Sequence, residues 1–156
     1  MIILDLDNCI ADDGWRIPKI DWEHENPDVR YWRYHSLAPF DTAGNHDLLD
    51  RAREEGCVIS TARPAHYKCA TVEWLKRIAG LQPLAILMRE PYDHRPSVHL
   101  KRSHVEIVRG TSSYEKITAA FDDRPDVVQM YRMNGIVAEV RSIHDLCAYT
   151  RPQEKT

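Results

Sequence analysis

Five short apolar runs mark the chain, at residues 2–6, 57–60, 84–88, 118–121 and 136–140. Each is flanked by charge, proline or glycine and reads as a buried strand. Between them lie segments of helical period. Residues 47–55 stop at Gly56, residues 98–108 form another, and residues 125–133 stop at Gly135. Residues 65–79 place Val72, Leu75 and Ile78 on one face and stop at Gly80. Short buried strands alternating with helices predict an α/β, Rossmann-like parallel sheet with helices on both faces.

Residues 12–45 interrupt this rhythm. The stretch is too long for an ordinary strand-to-helix connection, and it holds Trp15, Trp22, Tyr31, Trp32 and Tyr34. Two readings stand side by side. The rings pack the insertion against the body, as buried aromatics usually do. Or the insertion is a small cap that offers one or two rings, with Trp32 and Tyr34 the first choices, to a substrate base. Residues 1–150 read as one domain and residues 151–156 as a polar tail.

Composition changes little in this picture. A chain of 156 residues, 43% apolar and 29% charged, suits one ordinary globular domain. No run approaches the roughly 20 apolar residues of a membrane span. The start is too short and too soon acidic for a signal peptide, so a cytoplasmic location is expected. Four cysteines without CxxC spacing read as free thiols, and eight scattered histidines show no zinc pairing. A net charge of −3 argues against broad adhesion to nucleic acid and leaves a local cationic pocket open.

The chemistry gathers where predicted strands end. Asp5-Leu6-Asp7 follows the first, Thr61-Ala62-Arg63 the second and Asp122-Asp123-Arg124 the fourth. Parallel α/β sheets carry their ligand crevice at that edge. Carboxylates paired there repel unless a cation lies among them, and an oxygen-rich donor set suits Mg²⁺.

These clusters resemble the motifs of the haloacid dehalogenase superfamily. Asp5-Leu6-Asp7-Asn8-Cys9 matches the first, Thr61 the second, a lysine the third and Asp122-Asp123 the fourth. Asn8-Cys9 stands where the family usually has Gly-Thr. The second aspartate of the first motif goes with phosphatases. A closer likeness is to the phosphatase domain of phage polynucleotide kinase-phosphatases. It is carried by Thr61-Ala62-Arg63, Val72-Glu73-Trp74-Leu75, Met88-Arg89-Glu90, Asp93-His94-Arg95, Lys101 and Phe121-Asp122-Asp123-Arg124. That likeness implies removal of 3′ phosphates from nucleotides or nucleic-acid ends. The insertion departs from the pattern, and the GxxxxGK[ST] of a kinase half is not found.

The resemblance implies Asp5 as nucleophile and Asp7 as general acid and base. Thr61 donates to a phosphoryl oxygen, and Lys101 supplies positive charge, with Lys116 as the competing lysine. Mg²⁺ is held by Asp5, the Asp7 carbonyl and Asp122 or Asp123. Arg63, Arg89 and Arg95 are candidate substrate contacts. Four rival readings stand beside this one. Cys57 and Arg63 fit the CxxxxxR spacing of cysteine phosphatases, although the residues between them lack glycines. A phosphoacceptor signalling domain would carry its clusters in another order. A non-catalytic module that binds nucleic-acid ends is a third reading, and a 5′-nucleotidase or general small-molecule phosphatase is a fourth.

Overall fold

The computed structural model describes residues 1–145. The tail expected at 151–156 lies outside them. Five strands form one sheet: β1 (Ile2–Leu4), β2 (Cys57–Pro64), β3 (Ala85–Arg89), β4 (Ala119–Asp122) and β5 (Ala138–Val140). Their order is β3-β2-β1-β4-β5, and every pairing is parallel. All five predicted runs are strands, with ends shifted by up to a few residues. The short β1 is central, with Leu4 opposite Ile59 on one side and Phe121 on the other.

Successive side chains of a strand point to opposite faces, and β1 divides the core accordingly. Ile2 and Leu4 join Leu48, Leu49, Trp74 and Leu75. Ile3 faces the other way, against Val105, Val127, Val128 and Tyr131. The first group comes from α3 (His46–Glu55), α4 (Lys68–Trp74) and the turn that continues α4, the second from α5 (Ser97–Arg109) and α6 (Pro125–Met133). Their crossovers place helices on both faces of the sheet.

The helix expected at 65–79 departs from its simple pattern. A 3₁₀ turn opens it at Ala65–Tyr67 and a π turn closes it at Leu75–Ala79. The π turn widens the helical repeat and rotates the buried face. Trp74, Leu75 and Ala79 are buried, whereas Val72 and Ile78, expected inside, are 43% and 50% exposed. Gly80 ends the element in the left-handed region, at φ +64°.

The segment between β1 and α3 is built from short pieces: a 3₁₀ helix at Gly14–Lys19, α1 (Pro27–Arg30), α2 (Trp32–Ser36) and a 3₁₀ turn at Ala38–Phe40. Its two ends meet where Ala11 bridges Ala43 and the Asp12 N–H donates to the Thr42 carbonyl. Trp74 Nε1 donates to the Asp41 carbonyl at 2.8 Å and ties the segment to α4.

Candidate active site

The parallel register decides which side chains share the carboxyl edge. Leu4 pairs with Ile59 and Phe121, so the next residues along, Asp5, Ser60 and Asp122, lie side by side. Lys101 reaches this point from α5. Its Nζ lies 2.8 Å from Asp5 Oδ1 and 2.6 Å from Asp122 Oδ2, and it is 1% exposed. Burial lowers the lysine's proton affinity, but Asp122 and Asp5 outweigh that and hold it charged. Lys116, the competing lysine, is exposed beyond the sheet's other end, where its carbonyl accepts from the Met1 amino group.

Asp5, Asp122 and Asp123 each offer an oxygen within 4.8 Å of the others. One lysine does not balance three carboxylates. Burial, reinforced by neighbouring anions, pushes Asp122 up to about 7 and Asp123 up to about 8. Groups that hold protons for want of positive charge suit a divalent cation with hard oxygen ligands. Asn8 braces the trio. Its Nδ2 donates to Asp123 Oδ2 at 3.2 Å while its Oδ1 accepts from the His144 N–H at 2.9 Å. Asn8 has φ +60°, a conformation that asparagine tolerates better than most residues and that explains its standing in for glycine.

Asp7 lies in different surroundings. Its Oδ1 accepts from the guanidinium groups of both Arg16 and Arg63. Burial raises its proton affinity, yet the two arginines hold it well below the usual carboxylate range. Arg16 is fully buried and held on all sides. It is paired with Asp41 through Nε and Nη2, donates from Nη1 to the Tyr34 carbonyl, and stacks 4.1 Å above the Tyr34 ring. Arg63 is fixed by Thr71 Oγ1 at 3.1 Å, and its buried Nε has no protein partner. An orphaned, buried guanidinium donor is suited to an anionic ligand. Thr61 Oγ1 accepts from the Arg63 N–H at 3.1 Å, which leaves its own proton to donate elsewhere.

The structure thus brings Asp5, Asp7, Thr61, Arg63, Lys101, Asp122 and Asp123 to one edge. The remaining sequence candidates are placed otherwise. Arg89 pins a loop, with Nη1 donating to the carbonyls of Asp93 and Arg95 and Nε to that of Ala62. Arg95 is paired with Asp93 and bonded to Ser103 Oγ on the outside of that loop. Tyr34 is 8% exposed and its hydroxyl donates to Asp13 Oδ2, so its ring is a platform for Arg16 and not a free face. Trp32 is 62% exposed. Arg16 and Asp41 carried no signal in the sequence, because nothing marks one charged residue of an insertion as buried.

The cysteine rival fails on geometry. Cys57 and Arg63 stand at opposite ends of extended β2, about 20 Å apart at the usual strand rise. Burial pushes the Cys57 thiol up to about 11, which leaves little thiolate.

The family model of the polynucleotide kinase PNKP phosphatase domain matches residues 1–141. The chain belongs to this family. It is a phosphatase of the haloacid dehalogenase type, with the parallel sheet expected of one. Among solved structures, the phosphatase is similar to a chain of the Pnkp1/Rnl/Hen1 RNA repair complex, with TM-score 0.66 and 20% identity. That match covers 90% of this chain and 41% of the other, so the phosphatase spans about two-fifths of that neighbour's length. A putative phosphatase from Clostridium difficile matches at TM-score 0.61 and 11% identity, over 94% and 89% of the two chains. CbbY from Rhodobacter sphaeroides, solved with phosphate, matches at 0.58 and 15%, over 98% and 88%. No curated protein matches the sequence. Among the described residues no helix is long and apolar enough to cross a membrane.

Proposed function

We propose that this phosphatase is a Mg²⁺-dependent phosphomonoesterase that works through an aspartyl-phosphate on Asp5 and acts on nucleotides or 3′-phosphorylated nucleic-acid ends. The observation that carries the reading is the Asp5–Lys101–Asp122 chain at the head of the central strand. Lys101 pairs with Asp5, the attacking carboxylate, and is placed to draw charge from equatorial phosphoryl oxygens. Asp5, the Asp7 carbonyl and Asp122 or Asp123 would hold Mg²⁺, which offsets repulsion between two anions.

Asp5 Oδ bonds to phosphorus as the ester P–O bond breaks, and the departing alkoxide takes a proton from Asp7. Water then gives a proton to Asp7, its oxygen bonds to phosphorus, and the acyl-phosphate bond breaks to free Asp5 and phosphate. In the resting site Asp7 is ionised by Arg16 and Arg63, the form required of the base. The acid step needs a protonated Asp7. A phosphate dianion supplies the means by adding negative charge beside Asp7 and competing for Arg63, and a buried carboxylate so placed takes up a proton from solvent.

For the nucleotide preference, the family and the exposed Trp32 are the support. Stacking on that ring would select a base, and a cytoplasmic setting accords with the buried free thiols Cys9 and Cys57. The test is phosphate release from 3′- and 5′-phosphorylated nucleotides, 3′-phosphorylated oligonucleotides and an aryl phosphate, each with Mg²⁺ and with chelator. Release of 3′ phosphate that stops in chelator is expected. Equal turnover of 3′ and 5′ phosphates would reduce the reading to a general phosphomonoesterase, and turnover in chelator would end the metal role.

A further inference from the structure

The loop that leaves β3 carries Tyr92, which at 84% is more exposed than any other large hydrophobic side chain among the described residues. Its φ is +65°. The other described non-glycine residues with positive φ are Asn8 and Asn45, a residue type that adopts this conformation readily. A tyrosine there is strained, and solvent gives nothing in return for holding its ring out. Observed strain of this kind is a pointer to function.

The loop is built to hold that ring. Besides the two bonds from Arg89 Nη1, the Asp93 N–H donates to the Glu90 carbonyl and the Arg95 N–H to Asp93 Oδ1. Its place follows from the sheet, since β3 ends at the same carboxyl edge as Asp5 and Asp122. The insertion meets it there. His94 Nε2 lies 3.8 Å from Asp28 Oδ2, and Tyr67 donates to the Trp32 carbonyl at 3.4 Å. Two exposed rings, Trp32 and Tyr92, therefore stand on neighbouring elements beside the crevice. Arg33 on α2 and Lys68 on α4, both exposed, flank these rings.

Aromatic faces interleaved with cations, on a rigid support next to a phosphate site, match the chemistry of single-stranded nucleic acid. We infer that Tyr92 is a specificity-determining residue that stacks an unpaired base upstream of the terminal phosphate, so that the site takes a strand and not the terminal nucleotide alone. The inference rests on the proposed 3′-end reading and deepens it. Trp32 serves the terminal base and Tyr92 the strand that leads to it.

The experiment compares kcat/KM for a 3′-phosphorylated mononucleotide, a single-stranded oligonucleotide, the same 3′ end in a blunt duplex, and an aryl phosphate. Wild type, Tyr92→Ala, Tyr92→Phe and Tyr92→Gly are measured with Mg²⁺. Wild type should favour the single strand over both the mononucleotide and the duplex. Tyr92→Ala and Tyr92→Gly should lose about 5- to 150-fold of the single-strand-to-mononucleotide ratio, and Tyr92→Phe should keep it. Tyr92→Gly should also melt higher than wild type, since glycine relieves the left-handed strain. An unchanged ratio in Tyr92→Ala and Tyr92→Gly overturns the inference while leaving 3′-end hydrolysis intact. Release of phosphate from the aryl ester but from no 3′-phosphorylated nucleotide overturns the underlying reading, and this inference with it.

Discussion

Asp7 and Asp123 flank one crevice, are both withdrawn from solvent, and differ in proton affinity in opposite directions. Asp7 faces Arg16 and Arg63 and is held ionised well below the usual range. Asp123 faces Asp5 and Asp122, has an asparagine amide for company, and is pushed up to about 8. Burial opposes ionisation in both. What separates them is the sign of the nearest charge. The lesson is that one site can hold a firmly ionised carboxylate beside others that are short of positive charge.

The sharpest way to break this contrast is at Asp5, the anion that raises both Asp122 and Asp123. Asp5→Asn should lower phosphate release by about 10³-fold or more, because an amide is not a nucleophile. It should leave the metal-free protein at least as stable as wild type, since one charge leaves a crowded acidic group. Activity of more than a few per cent in protein free of deamidation, with melting measured alongside, would refute the nucleophile assignment.

Lys101→Met removes the cation on the Asp123 side and spares Asp7. Turnover should fall about 10²- to 10³-fold, the size seen when one charge-stabilising donor is lost. The metal-free protein should melt lower, because Asp5 and Asp122 lose their shared partner. Normal turnover would transfer the role to another cation.

On the Asp7 side, Arg16→Met strands Asp41 in the interior and should cost about 3–5 kcal/mol of stability. Adding Asp41→Asn should return much of that loss and little of the activity. Recovery of both would make Arg16 a fold residue only, and urea unfolding with kcat/KM on an aryl phosphate separates the cases.

The smallest effect is on melting temperature against pH. The raised affinities of Asp122 and Asp123 mean that the folded state binds more protons than the unfolded one between about 4 and 8. Their contribution to stability is complete below that window and lost as pH rises through about 7 and 8. Asp7 acts in the opposite sense, losing its contribution only as pH falls below the ordinary carboxylate value of 3.8. Buried His104, lowered to about 4, acts below 6.5, so the informative range is pH 6.5 to 8.5. Across it the metal-free protein should lose several degrees, at about 2–4 °C per kcal/mol for a chain of this size. Mg²⁺ should raise the melting temperature more at the alkaline end, where fewer protons are displaced. A flat profile in chelator would contradict the charge deficit at Asp122 and Asp123.

How legible these features were in sequence varied with their range. The five strands could be read because β-branched and aliphatic runs declare burial locally, Asp5 and Asp122 because family motifs tie them to strand ends, and Lys101 because a motif calls for a lysine between them. The helix around Trp74 was misread on its buried face, since nothing in residues 65–79 announces a π turn. Arg16 and Asp41 were illegible for another reason. Their burial depends on mutual pairing across the insertion, and isolated charges are ordinarily read as solvated. Tyr34 and Trp32, two residues apart on α2, looked equivalent in sequence, and only the fold shows one buried and the other open. Asn8 was more informative than it looked. An asparagine in a family glycine position was the one local hint of left-handed backbone.

The placement of β1 bears on how the molecule is made. The first strand of the chain sits in the middle of the sheet, and its neighbours lie at Cys57 and Ala119. Emerging from a ribosome, Ile2–Leu4 therefore has no partner until Cys57 has followed, and its second neighbour, at Ala119, comes later still. Such distant pairings are slow to close and leave an apolar segment bare in the meantime. The acidic residues directly after it keep that nascent segment short. Asp5, the proposed nucleophile, thus leaves the ribosome well ahead of β4, and the edge it serves is completed only when β4 docks, so catalytic competence arrives late and all at once.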